Sequence, residues 1–89
     1  KAIKHFGNIG VTEFLVETQS IKTGDELLIT GPTTGAIFLM AEDIRVDLKQ
    51  VSEVVKGDHF SIKTPEKIRP NDQLYKMVKD ERRGTAHER

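Results

Sequence analysis

A short phrase built around an aspartate occurs three times in this 89-residue chain, and it constrains the fold more than any other feature. Each copy combines a basic residue, a turn residue and Asp with a following polar and large apolar residue, at positions 22–27, 56–60 and 69–74. Gly and Asn tolerate positive φ, and the Asp side chain bonds back to nearby backbone amides. The phrase therefore predicts a tight turn that begins a β-strand, and three copies indicate a small all-β domain.

Short β-type runs alternate with turn signals along the chain. We predict strands at residues 11–17, 27–30, 36–46, 51–55, 60–63 and 74–78, with a bend in the third strand near residues 42–43 and a turn at 47–50. This pattern favours a small closed antiparallel β-barrel over a sandwich of long strands. We assign residues 1–79 to this single domain. The polar residues 80–89 are expected to be a disordered or helical tail.

Composition excludes several classes of protein. The 14 basic and 14 acidic residues balance, so bulk attraction to nucleic acid or to a membrane is not expected. There is no cysteine, which excludes disulfides, Cys-ligated zinc and a Cys nucleophile. The longest apolar run, residues 36–41, is far too short to span a membrane. Without a signal-like segment we expect a cytoplasmic location, and the start at Lys1 suggests a piece of a longer protein.

No group of residues has the pattern of a catalytic, metal or cofactor site. His5, His59 and His87 have no second ligand at a recognisable spacing. The paired carboxylates lie in turns or on opposite faces of strands, which does not favour acid–base chemistry. The Gly-Pro-Thr-Thr-Gly sequence at 31–35 lacks the Lys-Ser/Thr of a phosphate loop and precedes a strand, so it predicts a hairpin loop. We therefore expect neither catalytic residues nor a bound cofactor here.

An apolar docking patch is one candidate site. If Ile37 and Leu39 point into the core, the two-residue period of a strand directs Phe38 and Met40 outward together. Such a pair would form a patch for a neighbouring domain or another protein. The alternative is that both faces of this strand are covered, or that the strand has the opposite register.

A basic cluster late in the sequence is the other candidate site. Residues 63–89 hold eight basic and five acidic side chains, whereas residues 6–62 hold four basic and nine acidic ones. Cations around an aromatic side chain could hold a phosphate backbone and stack a base. The interspersed acidic residues favour an ordinary solvated surface instead. The candidate nucleic-acid contacts are Lys63, Lys67, Arg69, Tyr75, Lys76 and Lys79.

The order of the turn phrases resembles the β-barrel of translation factors, such as the second domain of elongation factor Tu. The matching segments are the Ile-Lys-Thr-Gly-Asp-Glu-Leu hairpin at 21–27, Val-Val-Lys-Gly-Asp at 54–58 and Asn-Asp-Gln-Leu at 71–74. A narrower resemblance is to the C-terminal domain of the peptidase U32 family. Its segments are 5–11, the Gly-Pro-Thr-Thr-Gly loop at 31–35, Ile-Arg-Val-Asp at 44–47 and 69–76. Asn71 stands where Gly is expected, and Phe38 and Met40 stand where a more polar strand face is usual.

The resemblance implies a limited role for this chain. U32 proteins are classed as peptidases, some are described as collagenases, and relatives serve in the hydroxylation of tRNA uridines. The catalytic signature of the family belongs to a preceding domain and is absent here. The resemblance thus implies a non-catalytic C-terminal accessory domain that positions a substrate or docks on the N-terminal catalytic domain of the same protein. The alternatives are an RNA (tRNA)-binding module, a module for a protein or collagen-like substrate, and a purely structural or oligomerisation domain; an independent hydrolase is the least supported.

Overall fold

The computed structural model describes residues 1–77, and every regular element in that range is a β-strand. This confirms the all-β prediction. In chain order the strands are β1 (Ala2–Phe6), β2 (Val11–Leu15), β3 (Ile21–Lys22), β4 (Glu26–Gly31), β5 (Gly35–Met40), β6 (Arg45–Val46), β7 (Lys49–Gln50), β8 (Glu53–Val54), β9 (His59–Lys63) and β10 (Gln73–Met77).

The three turn phrases fold in the same way. In each turn, the Asp Oδ2 atom accepts a hydrogen bond from the backbone N–H three residues earlier, and strand β4, β9 or β10 begins one residue after the Asp. The donors are Lys22 N to Asp25 at 2.8 Å, Val55 N to Asp58 at 2.9 Å and Arg69 N to Asp72 at 3.0 Å. The first residue of each turn contributes only its backbone N–H to this bond. Its side chain need not be basic, and Val55 occupies this position in the second turn.

The residue before each Asp has the left-handed conformation that the phrase predicts. The φ angles are 98° at Gly24, 95° at Gly57 and 73° at Asn71. Asn is one of the few residues with a side chain that enter this region readily. The local chemistry of the sequence therefore determines where three of the longer strands begin.

The strands form three antiparallel sheets that do not close on one another. The orders are β1-β2-β9-β6-β7, β10-β4-β5 and β3-β8. The sheets share one hydrophobic core, and individual backbone bonds connect residues at or next to their strands, such as Ala2 N to Asp72 O and Gly24 N to Ala41 O, both at 2.8 Å. The closed barrel predicted from the sequence is therefore not confirmed, because β3, β6, β7 and β8 have two residues each and are too short to continue the ladders around the molecule.

Several strand boundaries differ from the prediction. β1 was not predicted, since Lys4 and His5 interrupt its apolar pattern, yet it pairs with β2. The predicted strand 36–46 divides into β5 and β6 around Asp43, which has a φ of 54°. The predicted turn at 47–50 is the tip of the β6–β7 hairpin, where Asp47 and Leu48 have φ angles of 52° and 70°.

The core centres on two stacked phenylalanines. The ring centroids of Phe14 and Phe60 lie 5.6 Å apart, and both side chains are fully buried. The two-residue period of the sequence predicts inward side chains at Phe14, Val16, Leu27, Ile29, Ile37, Leu39, Ile44, Val51, Val54, Phe60, Ile62 and Leu74. All of them are buried except Leu39, Val51 and Leu74, which are partly buried against the core. Ile68 is buried although it lies outside any strand, so no alternation could have identified it.

Part of the predicted organisation lies outside the described residues. The polar tail at 80–89 and the candidate contact Lys79 both fall beyond residue 77. Across residues 1–77, no helix is long and apolar enough to cross a membrane.

Candidate docking surface

On the side of the three-stranded sheet that points away from the core, the side chains of two adjacent rows form one surface, which is apolar except for Glu26. Register places Phe38 of β5 opposite Leu28 of β4, and Leu28 opposite Tyr75 of β10. In the adjacent row, Met40 lies opposite Glu26, and Glu26 lies opposite Met77. We call this surface the outer face; its members are Glu26, Leu28, Phe38, Met40, Tyr75 and Met77.

The outer face exposes large apolar side chains next to one another. The exposed fractions are 58% for Phe38, 49% for Met40, 49% for Tyr75 and 40% for Met77. Scattered exposed hydrophobic residues are normal, whereas a contiguous group marks an interaction surface. The other exposed large hydrophobic residues of the described chain, Ile9, Leu48 and Val55, lie elsewhere in loops and hairpin tips.

Polar groups border the outer face and differ between its two ends. Glu26 separates the two methionines and is exposed. At the opposite end, the row next to Phe38 consists of Ala36, Thr30 and Gln73. The surface therefore has an apolar centre, a carboxylate at one end and uncharged groups at the other.

The five candidate nucleic-acid contacts that lie within residues 1–77 do not share one surface. Tyr75 lies on the outer face, and its neighbour Lys76 points to the other side of β10. The Lys76 ammonium donates to Ser20 O at 3.2 Å and lies 3.4 Å from Asp25 Oδ2. Lys63, Lys67 and Arg69 are exposed at the end of β9 and in the loop that follows it, and Lys79 lies outside the described residues.

The Gly-Pro-Thr-Thr-Gly loop joins β4 to β5 and is held by a buried carboxylate. Asp72 is buried, and its carboxylate accepts hydrogen bonds from Thr34 Oγ1 and from Arg69 N. A Cβ atom on Gly31 would collide with that carboxylate, so a larger residue here would have to displace the Asp72 side chain from its hydrogen bonds. One buried carboxylate therefore holds two motifs that lie 38 residues apart in the sequence.

A chain of hydrogen bonds lies on another side of the molecule. His5 Nδ1 is 2.8 Å from Thr12 Oγ1, which is 3.0 Å from Thr64 Oγ1. These contacts tie β1 and β2 to the loop after β9, and the Thr12 hydroxyl is buried and cannot reach a substrate. No group of three or more His, Cys, Asp or Glu residues within residues 1–77 is placed to hold a metal ion.

The outer face could be predicted only in part. Alternation along β5 identifies Phe38 and Met40, whereas the positions of Leu28, Tyr75 and Met77 depend on the register of three strands. Tyr75 and Met77 are two residues apart in β10, as Phe38 and Met40 are in β5, so each pair points to one face of its strand. This spacing is the signal from which the exposed apolar face of β10 could have been predicted.

The sequence of this chain is similar to segments of longer proteins, although no family model matches it. It is 47% identical over 81 residues to proteins named collagenase from Porphyromonas gingivalis, which covers 91% of this chain and 20–22% of those proteins. It is 25% identical over 75 residues to an uncharacterized protease of Methanocaldococcus jannaschii, covering 84% of this chain and 18% of that protein. The chain thus spans about a fifth of the length of the curated relatives it matches.

A solved structure shares the fold. The crystal structure of the C-terminal domain of a U32 peptidase from Geobacillus thermoleovorans matches with a TM-score of 0.79 and 14% sequence identity, covering 86% of this chain and 88% of that domain. This chain and that domain therefore share one fold. The resemblance predicted from the sequence motifs is confirmed: the chain has the fold of the C-terminal domain of a U32 peptidase, and its sequence is similar to about a fifth of the length of proteins named collagenase.

Proposed function

We propose that this chain is the non-catalytic C-terminal accessory domain of a longer U32-type protein and docks on the preceding catalytic domain through the outer face. The observation that carries the proposal is the exposed group of Phe38, Tyr75, Met40 and Met77 on one sheet. The matched segment is only 20–22% of each relative, so a partner surface within the same protein is available.

The energetics of the outer face favour burial. Fully burying one large apolar side chain contributes about 1.5–3 kcal/mol relative to leaving it exposed, and four partly exposed ones share this face. Methionine adapts to irregular partner surfaces, and tyrosine combines a large apolar ring with a polar end. Because Glu26 lies between the two methionines, the matching surface should present an Arg or Lys side chain to its carboxylate.

Docking would give the domain its role in substrate handling. A domain fixed beside the catalytic domain narrows access to the active site and so orients what enters it. The Porphyromonas relatives are named collagenase, so we propose a protein as the substrate class of the whole protein. This domain contributes positioning, and the chemistry belongs to the preceding part.

Methionine oxidation tests the docking proposal, because both methionines of this chain lie on the outer face. Peroxide oxidises exposed methionines, and peptide mass spectrometry reports the rate at each position. We expect Met40 and Met77 to oxidise readily in the isolated chain and roughly tenfold more slowly in the full-length protein.

A reference position distinguishes docking from a general change in reactivity. Leu48 is 89% exposed at the tip of the β6–β7 hairpin, away from the outer face, so Leu48→Met introduces a third reporter. Its oxidation rate should be the same in both proteins, and Phe38→Ser should restore rapid oxidation of Met77 in the full-length protein. Equal rates at Met40 and Met77 in the isolated and full-length proteins would overturn the proposal.

RNA binding is the second candidate function, supported by the exposed cations Lys63, Lys67 and Arg69 within seven residues of one another. An amide chemical-shift titration of the isolated chain with mixed tRNA, at low and at physiological salt, tests it. Salt-sensitive shifts confined to residues 63–69 are expected for a phosphate-binding surface. Absence of shifts at both salt concentrations would reject RNA binding and leave docking or a purely structural or oligomerisation role.

A further inference from the structure

Strand β5 forms an edge of the three-stranded sheet, and half of its backbone groups point away from the sheet. Within residues 1–77, β4 is its only hydrogen-bonded neighbour. Just past β5, Ala41 N donates to Asp25 O at 2.7 Å. In an antiparallel ladder, residue pairs that exchange hydrogen bonds alternate with pairs that do not. Counting back from Ala41, the residues of β5 whose backbone groups bond to β4 are Leu39 and Ile37. The N–H and C=O groups of the alternate residues, Ala36, Phe38 and Met40, therefore point outward.

A groove of about 470 Å³ runs beside this edge. The residues that line it are Phe38, Leu39 and Met40 of β5, Glu42 and Asp43 just after β5, and Lys63 and Pro65 at the end of β9 and in the loop that follows. Its volume lies in the range of pockets that hold bound ligands. An added strand would lie about 4.7–4.9 Å from the backbone of β5, at the edge that this groove adjoins.

The other edge of the same sheet is less open. Beside the beginning of β10, Ala2 N donates to Asp72 O and Asn71 N donates to Ala2 O, both at 2.8 Å. The N-terminal end of β1 therefore covers part of that edge. The edge of β5 combines outward backbone groups, two exposed apolar side chains and an adjoining groove.

We propose that β5 pairs with an extended segment from the preceding part of the same protein, which adds a fourth strand to the sheet. The inference rests on the proposed docking function and names its mode. Outward backbone groups of β5 bond to the added strand, and every second side chain of that strand lies beside Phe38 or Met40 on the outer face. The segment therefore carries apolar residues at alternate positions.

A single strand fits this site better than a second copy of the chain. Pairing of two β5 strands would bring a whole three-stranded sheet against the edge, whereas Lys63 and Pro65 bound the groove beside it. The length of the relatives supplies the segment, because about four-fifths of each lies outside the part that this chain matches.

Amide hydrogen exchange tests the added strand, resolved to single residues and compared between the isolated chain and the full-length protein. We expect the amides of Phe38 and Met40 to exchange at least about tenfold more slowly in the full-length protein. The amides of Ile37 and Leu39, which already bond to β4, should change less. Unchanged exchange at Phe38 and Met40, together with slowed oxidation of Met40 and Met77, would overturn strand addition and leave docking intact. Unchanged oxidation would instead show that docking itself fails.

A pair of variants separates the backbone from the side chain. Met40→Pro removes the outward N–H at an edge position, where proline is tolerated, and Met40→Ala keeps the N–H while shortening the side chain. In the full-length protein, Met40→Pro should make the Phe38 amide exchange rapidly and Met77 oxidise rapidly. Met40→Ala should leave the Phe38 amide largely protected and the oxidation of Met77 largely slow. Equal behaviour of the two variants would overturn the inference. If Met40→Pro does not fold, the exchange of Phe38 and Met40 in the unaltered protein decides the question.

Discussion

Asn71 shows how a single residue can satisfy a turn that is usually made by glycine. Its φ is 73°, and Gly24 and Gly57 occupy the equivalent positions of the other two turns. Asn71→Gly should change the free energy of unfolding by less than about 0.5 kcal/mol, because the relief of φ strain offsets the greater flexibility of the unfolded chain. Asn71→Val should destabilise by more than about 1 kcal/mol, since a β-branched residue is strained at positive φ. Urea unfolding measures both, and a large loss for Asn71→Gly would mean that the Asn side chain has a role of its own.

Gly31 and Asp72 form a second residue-scale dependence. Gly31→Ala should cost about 2 kcal/mol or more because the new methyl group would displace the buried Asp72 carboxylate from its hydrogen bonds. Asp72→Ala should cost about 1–3 kcal/mol through loss of the Thr34 and Arg69 contacts. The double variant should lose clearly less than the sum in urea unfolding, because the collision is then absent. Strict additivity would contradict the coupling.

At the scale of elements, local chemistry predicts the turns and fails at the sheets. The Gly-Asp and Asn-Asp turns could be predicted because each uses its own backbone and side chain. β1 could not be predicted, because the polar residues Lys4 and His5 interrupt its apolar pattern and the strand depends on pairing with β2. Only part of the outer face can be predicted, because strand pairing is not visible in the sequence. Alternation along β5 identifies Phe38, whereas Tyr75 lies beside it only because of the register of β10 on β4.

The β6–β7 hairpin carries a prediction at this scale. Asp47 and Leu48 both have positive φ at its tip, as in the type I′ turn for which Asn-Gly is the preferred pair. Leu48→Gly should therefore stabilise the chain by about 0.5–1 kcal/mol, since the side chain is exposed and loses no packing. Thermal unfolding measures the change, with Val55→Gly as a control that also removes an exposed apolar side chain from a loop residue outside the positive-φ set. A lower melting temperature for Leu48→Gly would show that Leu48 makes a stabilising contact.

At the scale of the whole molecule, the buried core stabilises the fold and the outer face is available for docking. Substitutions of Phe60 in the core and Phe38 on the outer face distinguish the two roles. Phe60 stacks on Phe14 in the core and is 1% exposed, so Phe60→Ala should cost about 3–5 kcal/mol. Phe38 lies on the outer face, so Phe38→Ser should change the stability of the isolated chain by less than about 1 kcal/mol. Because an uncovered apolar face promotes self-association, Phe38→Ser should also lower the concentration-dependent association of the isolated chain in sedimentation experiments. A large loss of stability in Phe38→Ser would mean that the outer face supports the fold itself, and docking would then lose its main support.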